Sequence, residues 1–515
     1  MAVKLHCSTK LAAFGFLKNL QKCSLLSISL LSTRTLSSSS SNSSSNSSDS
    51  LFQRIQVIRD PKASVLPVLR QWVDEGRPIG KTELGWLVRT MKDFRRFNHA
   101  LEISLWMTDS RFLRISPSDA AIRLDLIYRV HGLERAENYF NSVSRKLRTR
   151  SAYVALLRSY VRENSVEKAK ASMQEMRNMG MINSSLPYNI LINLYTQNGQ
   201  FDKIDMLMQE METKGIPHDK YTLRNRMSAY IAASDILGMQ NILNRMEEDP
   251  CFSVDWKVYS LAASGYQKVG MLEEALETLR KLEQEIAKTS NKTNKSAFMF
   301  LLTLYSSIGN RDELYRVWST YKPSNGLIDL PYACMIRSLT KLDDIEGAER
   351  IYDEWESKST FYDFRVLNSI LAAYCKEGLF EKAESALEKA VKGRTTNTAS
   401  FNILANGYAK NNKMPKAVEM LKKGLSIGRK GWMPSCVTLA ACLDYLKEQG
   451  DVTGMKEIIS ALRNADVLSM DTCQELLRAC DAAGESFLNR NYTQKNQNCF
   501  KLFYMNLNLL ATNPV

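Results

Sequence analysis

Apolar and polar positions along this chain follow a pattern that recurs about every 35 residues. It is clearest in SLPYNILINLYTQNGQFDKIDMLMQEMETKGIPHD (Ser185–Asp219), WKVYSLAASGYQKVGMLEEALETLRKLE (Trp256–Glu283) and FRVLNSILAAYCKEGLFEKAESALEKAV (Phe364–Val391). Each copy holds one apolar stripe at three- and four-residue intervals, then Gly, then a second stripe centred on a small residue, as in Leu272, Ala275, Leu279 and Leu282. That spacing predicts two amphipathic helices joined by a turn. The sustained alternation that marks strands is missing. A helical hairpin with apolar faces on both sides needs neighbours, so the period predicts a stacked array and not a globule.

With Tyr188 and Asn189 as positions four and five, one register runs through most of the chain. Units begin at Lys81, Pro117, Arg150, Ser185, Lys220, Trp256, Lys295, Asp329, Phe364, Thr398, Cys436 and Met470. Gly falls at position fifteen in Gly199, Gly270, Gly309, Gly378, Gly450 and Gly484, where a left-handed residue would end the first helix. Ala falls at position twenty in Ala100, Ala136, Ala169, Ala275, Ala348, Ala383 and Ala417, small enough to let two antiparallel helices approach. The expected fold is all-α, a right-handed superhelical solenoid of about twelve helix-turn-helix units.

The flanks differ. Residues 1–36 contain Lys4, Lys10, Lys18, Lys22 and Arg34 and no acid, with serines and short apolar runs between, the composition of an organellar transit peptide. Arg34-Thr35-Leu36-Ser37 resembles a mitochondrial cleavage pattern. Mitochondrion is therefore the expected compartment, with chloroplast the alternative. Residues 37–50 are nearly all Ser and Asn and are expected to be a disordered linker. Residues 51–80 are expected to cap the array, which spans 81–500, and residues 501–515 form a tail.

Charge sharpens this picture. The chain of 515 residues carries a formal +14, and removal of the leader's five cations would leave +9. A basic balance favours nucleic acid or an anionic surface as partner. No apolar run approaches the ~20 residues of a membrane span. The ten cysteines have no metal-ligand spacing, and Cys436, Cys442, Cys473 and Cys480 read as small core residues.

Two helical-hairpin repeats have nearly this length. The tetratricopeptide repeat needs a small residue at position eight, but Val88, Leu124, Leu157, Ile192, Met227, Leu302, Ile336, Leu371, Leu443 and Leu477 stand there. YNILINLYTQNG…EMETKGIPHD instead resembles the pentatricopeptide repeat. ALEISLWMTDSRF, SDAAIRLDLIYRVHG and DWKVYSLAASGY are similar to plant organellar members of its P-type group.

The resemblance implies binding of single-stranded organellar RNA, one base per unit, read by position five and the last residue of the unit. It thereby implies Asn189 with Asp219 for uracil, Ser260 with Asn294 for adenine, and Asn368 with Asn397 and Asn402 with Ser435 for pyrimidines. The implied target is U-x-A-x-x-pyrimidine-pyrimidine. Gly85, Ala121, Val154, Met299, Ala333 and Ala440 cannot read a base edge from position five, and Arg224 is expected to pair with Asp255. At position thirteen, Arg129, Arg162, Lys268, Lys341, Lys376 and Lys410 form a candidate phosphate ladder.

Catalytic signals are missing. No His-x-Glu with Pro-Cys-x-x-Cys zinc set and no GxxxxGK phosphate loop occurs, and His99, His131 and His218 are isolated. No enzyme, metal or cofactor is expected. The expected function is occupancy of a mitochondrial transcript in RNA processing, stability, splicing or translation. The alternatives are a structural component of the mitochondrial ribosome without a sequence code, and a tetratricopeptide-like protein scaffold.

Overall fold

In the computed structural model, the residues described are 50–58, 60, 63–109, 113–252, 254–288, 294–321, 329–359, 363–392, 397–428 and 432–465. The leader, the linker up to residue 49, the unit starting at Met470 with Cys473, Cys480 and Gly484, and the tail lie outside them. Among the described residues there are 24 α-helices and no strand. The described residues form two compact units, divided between Leu282 and Glu283.

The first unit opens with two short helices, α1 (Leu51–Val57) and α2 (Leu66–Asp74). Ser50, expected to end the linker, is instead the N-cap of α1 in a capping box with Gln53. Hairpins follow: α3 (Lys81–Asp93) with α4 (Phe97–Asp109), α5 (Pro117–His131) with α6 (Leu133–Ser142), and α7 (Arg150–Arg162) with α8 (Val166–Asn178). Next come α9 (Leu186–Gln197) with α10 (Phe201–Thr213), α11 (Lys220–Ala233) with α12 (Ile236–Glu248), and α13 (Trp256–Val269) with α14 (Leu272–Lys288), whose last turns pass into the second unit.

The second unit continues with α15 (Asn294–Ile308) and α16 (Arg311–Tyr321), α17 (Asp329–Lys341) and α18 (Ile345–Lys358), and α19 (Phe364–Glu377) and α20 (Phe380–Val391). It ends with α21 (Thr398–Lys410) and α22 (Met414–Ser426), and α23 (Cys436–Glu448) and α24 (Val452–Asn464). Nine of these eleven hairpins begin at the residue the register assigns. The other two begin at Leu186, after the N-cap Ser185, and at Asn294.

Local chemistry explains the ends. Asp219, Asp255, Asp363 and Asn397 close the last position of one hairpin and cap the first helix of the next with their side chains. Position fifteen has a positive φ in ten hairpins, whatever residue stands there. Gly378 adopts φ +74°, and Arg95, Asn164, Ser234, Asp343 and Asn412 adopt φ between 54° and 63°. The hairpin bend, not glycine alone, imposes that conformation.

Every predicted Ala at position twenty is fully buried. The bulky position-eight residues from Val88 to Leu443 are also buried and fill the hairpin interior. Tyrosines strap the pairs together: Tyr153, Tyr188 and Tyr332 at position four donate to Glu175, Glu210 and Glu354 of the second helix at 2.7–2.9 Å. At position eleven, Tyr408 donates to Glu384 of the preceding hairpin at 2.6 Å. Burial, with Glu175 beside it, pushes the Tyr153 hydroxyl up to about 12.

Two substitutions test these constraints through urea midpoints. Ala348→Leu overpacks a closed contact and should cost about 1–3 kcal/mol. At Gly378 an added Cβ meets nothing within 4 Å, so Gly378→Ala should cost only the left-handed backbone term, about 1 kcal/mol.

Candidate nucleic-acid interface

Positions five, nine and thirteen are four residues apart, so their side chains lie on one face of each first helix. The candidate base readers start this stripe. Asn189 of α9 is buried at 8% exposure, and its Nδ2 donates to Asp219 Oδ1 at 3.2 Å. Asp219 Oδ1 also accepts from the Thr222 amide at 2.7 Å, and Ser185 Oγ donates to Oδ2 at 2.5 Å. Burial opposes ionisation of Asp219, but the bonds from Ser185, Thr222 and Asn189 hold its carboxyl below the ordinary range. Asn189 Oδ1 is buried and has no partner among the described residues. An acceptor left this way costs free energy until something polar meets it.

The other pairs are less uniform. Asn402 Oδ1 accepts from the Ser435 amide at 2.9 Å, so these two positions also touch. Asn368 does not meet Asn397 in this way: its Oδ1 accepts from Ser400 Oγ at 2.6 Å, while Asn397 caps α21 through the Ala399 amide at 2.9 Å. Ser260 is buried and donates to Lys257 O of its own helix at 3.0 Å. The side chain of Asn294 lies outside the described residues. Arg224 forms no pair with Asp255. Its guanidinium sits 5.2 Å from the Tyr221 ring centre, and Asp255 caps α13.

The position-thirteen cations have work inside the protein. Lys268 Nζ donates to Ile231 O at 2.7 Å and Lys376 Nζ to Thr340 O at 2.8 Å, each the last turn of the preceding first helix. Lys341 reaches Ser307 at 2.6 Å. Helix ends leave carbonyls unsatisfied, and a cation there suits both the hydrogen bond and the dipole. Arg129 and Arg162 both bind Asp125. Lys410 is exposed and makes no bond among the described residues.

The strongest electrostatic feature is a difference between layers. In the first unit, first helices α3, α5, α7, α9, α11 and α13 carry 13 basic and 4 acidic residues, a net of +9. Second helices α4, α6, α8, α10 and α12 carry 6 basic and 12 acidic residues, a net of −6. In the second unit the first helices α15 to α23 net +3, and the second helices α16 to α24 net −1.

Some second-helix acids form inter-hairpin pairs, such as Lys168–Glu137 at 2.8 Å, Lys281–Glu247 at 3.1 Å and Lys389–Glu356 at 2.6 Å. In the first unit, Arg177 grips Glu210 with two bonds of 2.8 and 2.6 Å. Burial works to raise the Glu210 pKa, but Arg177, Lys214 and Tyr188 outweigh it and hold it at about 2.

Among the described residues there is no group of three or more His, Cys, Asp or Glu that could hold a metal ion, and no helix long and apolar enough to cross a membrane. Position nine and Asp125 escaped the sequence analysis. Their signal was the four-residue step from position five, visible once the register was set.

Two outcomes follow. Lys268→Ala should lower stability by about 1–2 kcal/mol through the lost inter-hairpin cap, whereas Lys410→Ala should change it by under about 0.5 kcal/mol; chemical denaturation reads both. A carboxyl with a depressed folded pKa contributes stability above its unfolded value, near 4.5 for Glu210, and loses it as pH falls toward about 2. The stability gap between wild type and Glu210→Gln should therefore be full at about pH 6 and narrow on acidification from pH 4.5 toward about 2.

The PPR repeat family model matches residues 183–231, and the PPR repeat model matches residues 151–181, 257–285, 331–359, 365–393 and 399–428. Pentatricopeptide repeat-containing protein At2g20710, mitochondrial, of Arabidopsis thaliana is 38% identical over 85% of this chain and 89% of its own length. Large ribosomal subunit protein mL101 of the same plant is 30% identical over the same shares, 85% and 89%. The crystal structure of pentatricopeptide repeat protein PPR10 from maize is 19% identical, covering 90% of this chain and 66% of that one, at a TM-score of 0.40; so loose an overlay places no residue. Register, hairpins and the extended identity together assign this chain to the pentatricopeptide repeat family.

Proposed function

We propose that the protein binds single-stranded RNA in mitochondria along its first helices and acts by occupying a transcript. The observation that carries this reading is the separation of charge between layers, with cations concentrated on the helices that also bear positions five and nine. Phosphate attraction supplies sequence-independent affinity. The Asn189–Asp219 pair supplies the choice of base, because an amide and a carboxylate held together present a donor and an acceptor to a pyrimidine edge. Relatives named as mitochondrial and the basic, acid-free first 36 residues support the compartment.

A second reading is a ribosomal subunit that holds RNA without a code. The mL101 relative favours it, as do the many position-five residues without a reading side chain. The two readings part in a sucrose gradient: a ribosomal subunit sediments with the large particles, and a transcript-specific factor stays in the light fractions.

The base-reading claim is tested by filter binding to U-x-A-x-x-pyrimidine-pyrimidine and to a scrambled oligonucleotide. Asn189→Ala should bring the two affinities together, by about 1–3 kcal/mol of lost discrimination. Equal affinities for the wild type would remove the code.

A further inference from the structure

The first three hairpins are blank at position five, where Gly85, Ala121 and Val154 stand, yet basic side chains gather on their first helices: Arg89, Arg129, Arg158 and Arg162 at positions nine and thirteen, and Lys92 at position twelve. Lys92 of α3, Arg129 of α5 and Arg162 of α7 converge on one carboxylate, Asp125 of α5. Lys92 Nζ and Arg162 Nη1 approach it to 2.7 Å, and Arg129 Nε to 3.1 Å. Asp125 is only 7% exposed, while the three cationic side chains keep 28–37% of their surface open. Three cations around one anion leave two positive charges uncompensated.

Donors are left over as well. An ammonium has three N–H groups and a guanidinium five, so each cation retains several after binding Asp125. Stacking narrows where they can point: Arg129 lies 4.5 Å from the Phe97 ring centre and Arg162 lies 5.5 Å from that of Tyr128. One turn before Arg162, Arg158 at position nine is exposed and makes no bond among the described residues. Arg89, at position nine of α3, is 55% exposed and approaches an acid, Asp119, only to 4.0 Å.

The combination recurs. In the second unit, Ala333 at position five is followed by exposed Arg337 at position nine. The Asn-bearing stripes are the reverse: Asn189 is followed by Asn193, Asn368 by Ala372 and Asn402 by Asn406. A blank at position five goes with Arg at position nine in three of six hairpins, the others holding Asp125, Thr303 and Asp444, and a reading Asn goes with an uncharged neighbour.

We propose that the first three hairpins form a sequence-blind clamp for the phosphodiester backbone of single-stranded RNA, in which Asp125 is the positioning residue that fixes Lys92, Arg129 and Arg162 as one phosphate-facing tripod. The proposal rests on the RNA-binding reading above and adds a division of labour to it. Blank hairpins grip, and Asn hairpins choose.

Salt titration of the full chain tests it, using the U-x-A-x-x-pyrimidine-pyrimidine oligonucleotide, its scrambled form, and potassium chloride as the variable. Each phosphate contact on a single strand contributes a slope of about −0.7 to log affinity against log salt. Arg158→Gln removes no bond among the described residues, so its melting temperature should match wild type. It should weaken both RNAs by the same factor and flatten the slope by about 0.7. Lys92→Gln should do likewise.

Asp125→Asn adds net positive charge, which by simple attraction would tighten RNA, whereas loss of the tripod predicts weaker binding with a flatter slope. Unchanged slopes in Arg158→Gln and Lys92→Gln would overturn the clamp while leaving RNA binding intact. Equal or tighter binding by folded Asp125→Asn would overturn the positioning role. If Asp125→Asn fails to melt cooperatively, the Lys92→Gln slope decides the tripod. A wild type that binds neither RNA would remove the functional reading and the clamp with it.

Discussion

The second helix of each hairpin must come close enough to the first to close the apolar interior; a methyl group at position twenty permits it in seven of the eleven described hairpins, and Ile204, Met239, Leu314 and Met455 are buried there in the other four. The seven alanines there are fully buried, from Ala100 to Ala417. Opposite requirements meet inside hairpins such as those holding Leu157 with Ala169 and Ile336 with Ala348, where position eight is large and position twenty is small. Close packing makes each such contact sensitive to a change of volume. Because each hairpin remains apolar on its outer sides, its burial is completed by the hairpins before and after it, and stability is shared between neighbours.

That packing fixes which side of each helix meets solvent, and charge follows. Several second-helix acids pair with cations of the next second helix and so help to join hairpins. First helices keep their cations with far fewer acids. Exposed ion pairs contribute little stability each, whereas an unbalanced layer creates a field that draws polyanions. The same partition therefore serves cohesion on one layer and recognition on the other. Within the recognition layer, Asp125 is an exception: its burial among three cations makes it an organiser and not a neutraliser.

Much of this was legible in the residues. Pro117, the caps Asp219 and Asp255, and the recurrent alanines locate helix starts and buried contacts because local chemistry decides them. What escaped depends on neighbours. Arg95 and Ser234 adopt the bend of Gly378 because the hairpin demands it, and nothing in Arg or Ser announces a positive φ. The spacing of Lys268 and Lys376 shows a row of cations, but only the adjacent helix end reveals the carbonyls they satisfy. Asn368 carries the residue type of a reader, yet its partner is Ser400 from the next hairpin. Arg224 looks poised for Asp255 along the sequence, and instead lies over Tyr221 one helical turn away.

The central claim is that RNA meets the first helices and not the second. Photocrosslinking of 4-thiouridine-substituted RNA to the full-length protein, followed by mass-spectrometric mapping of the modified peptides, tests it most directly. The account predicts adducts in α3, α5, α7, α9, α11 and α13 and protection of those peptides by unlabelled RNA. Adducts concentrated in α8, α10 and α12, on the acidic layer, would contradict it.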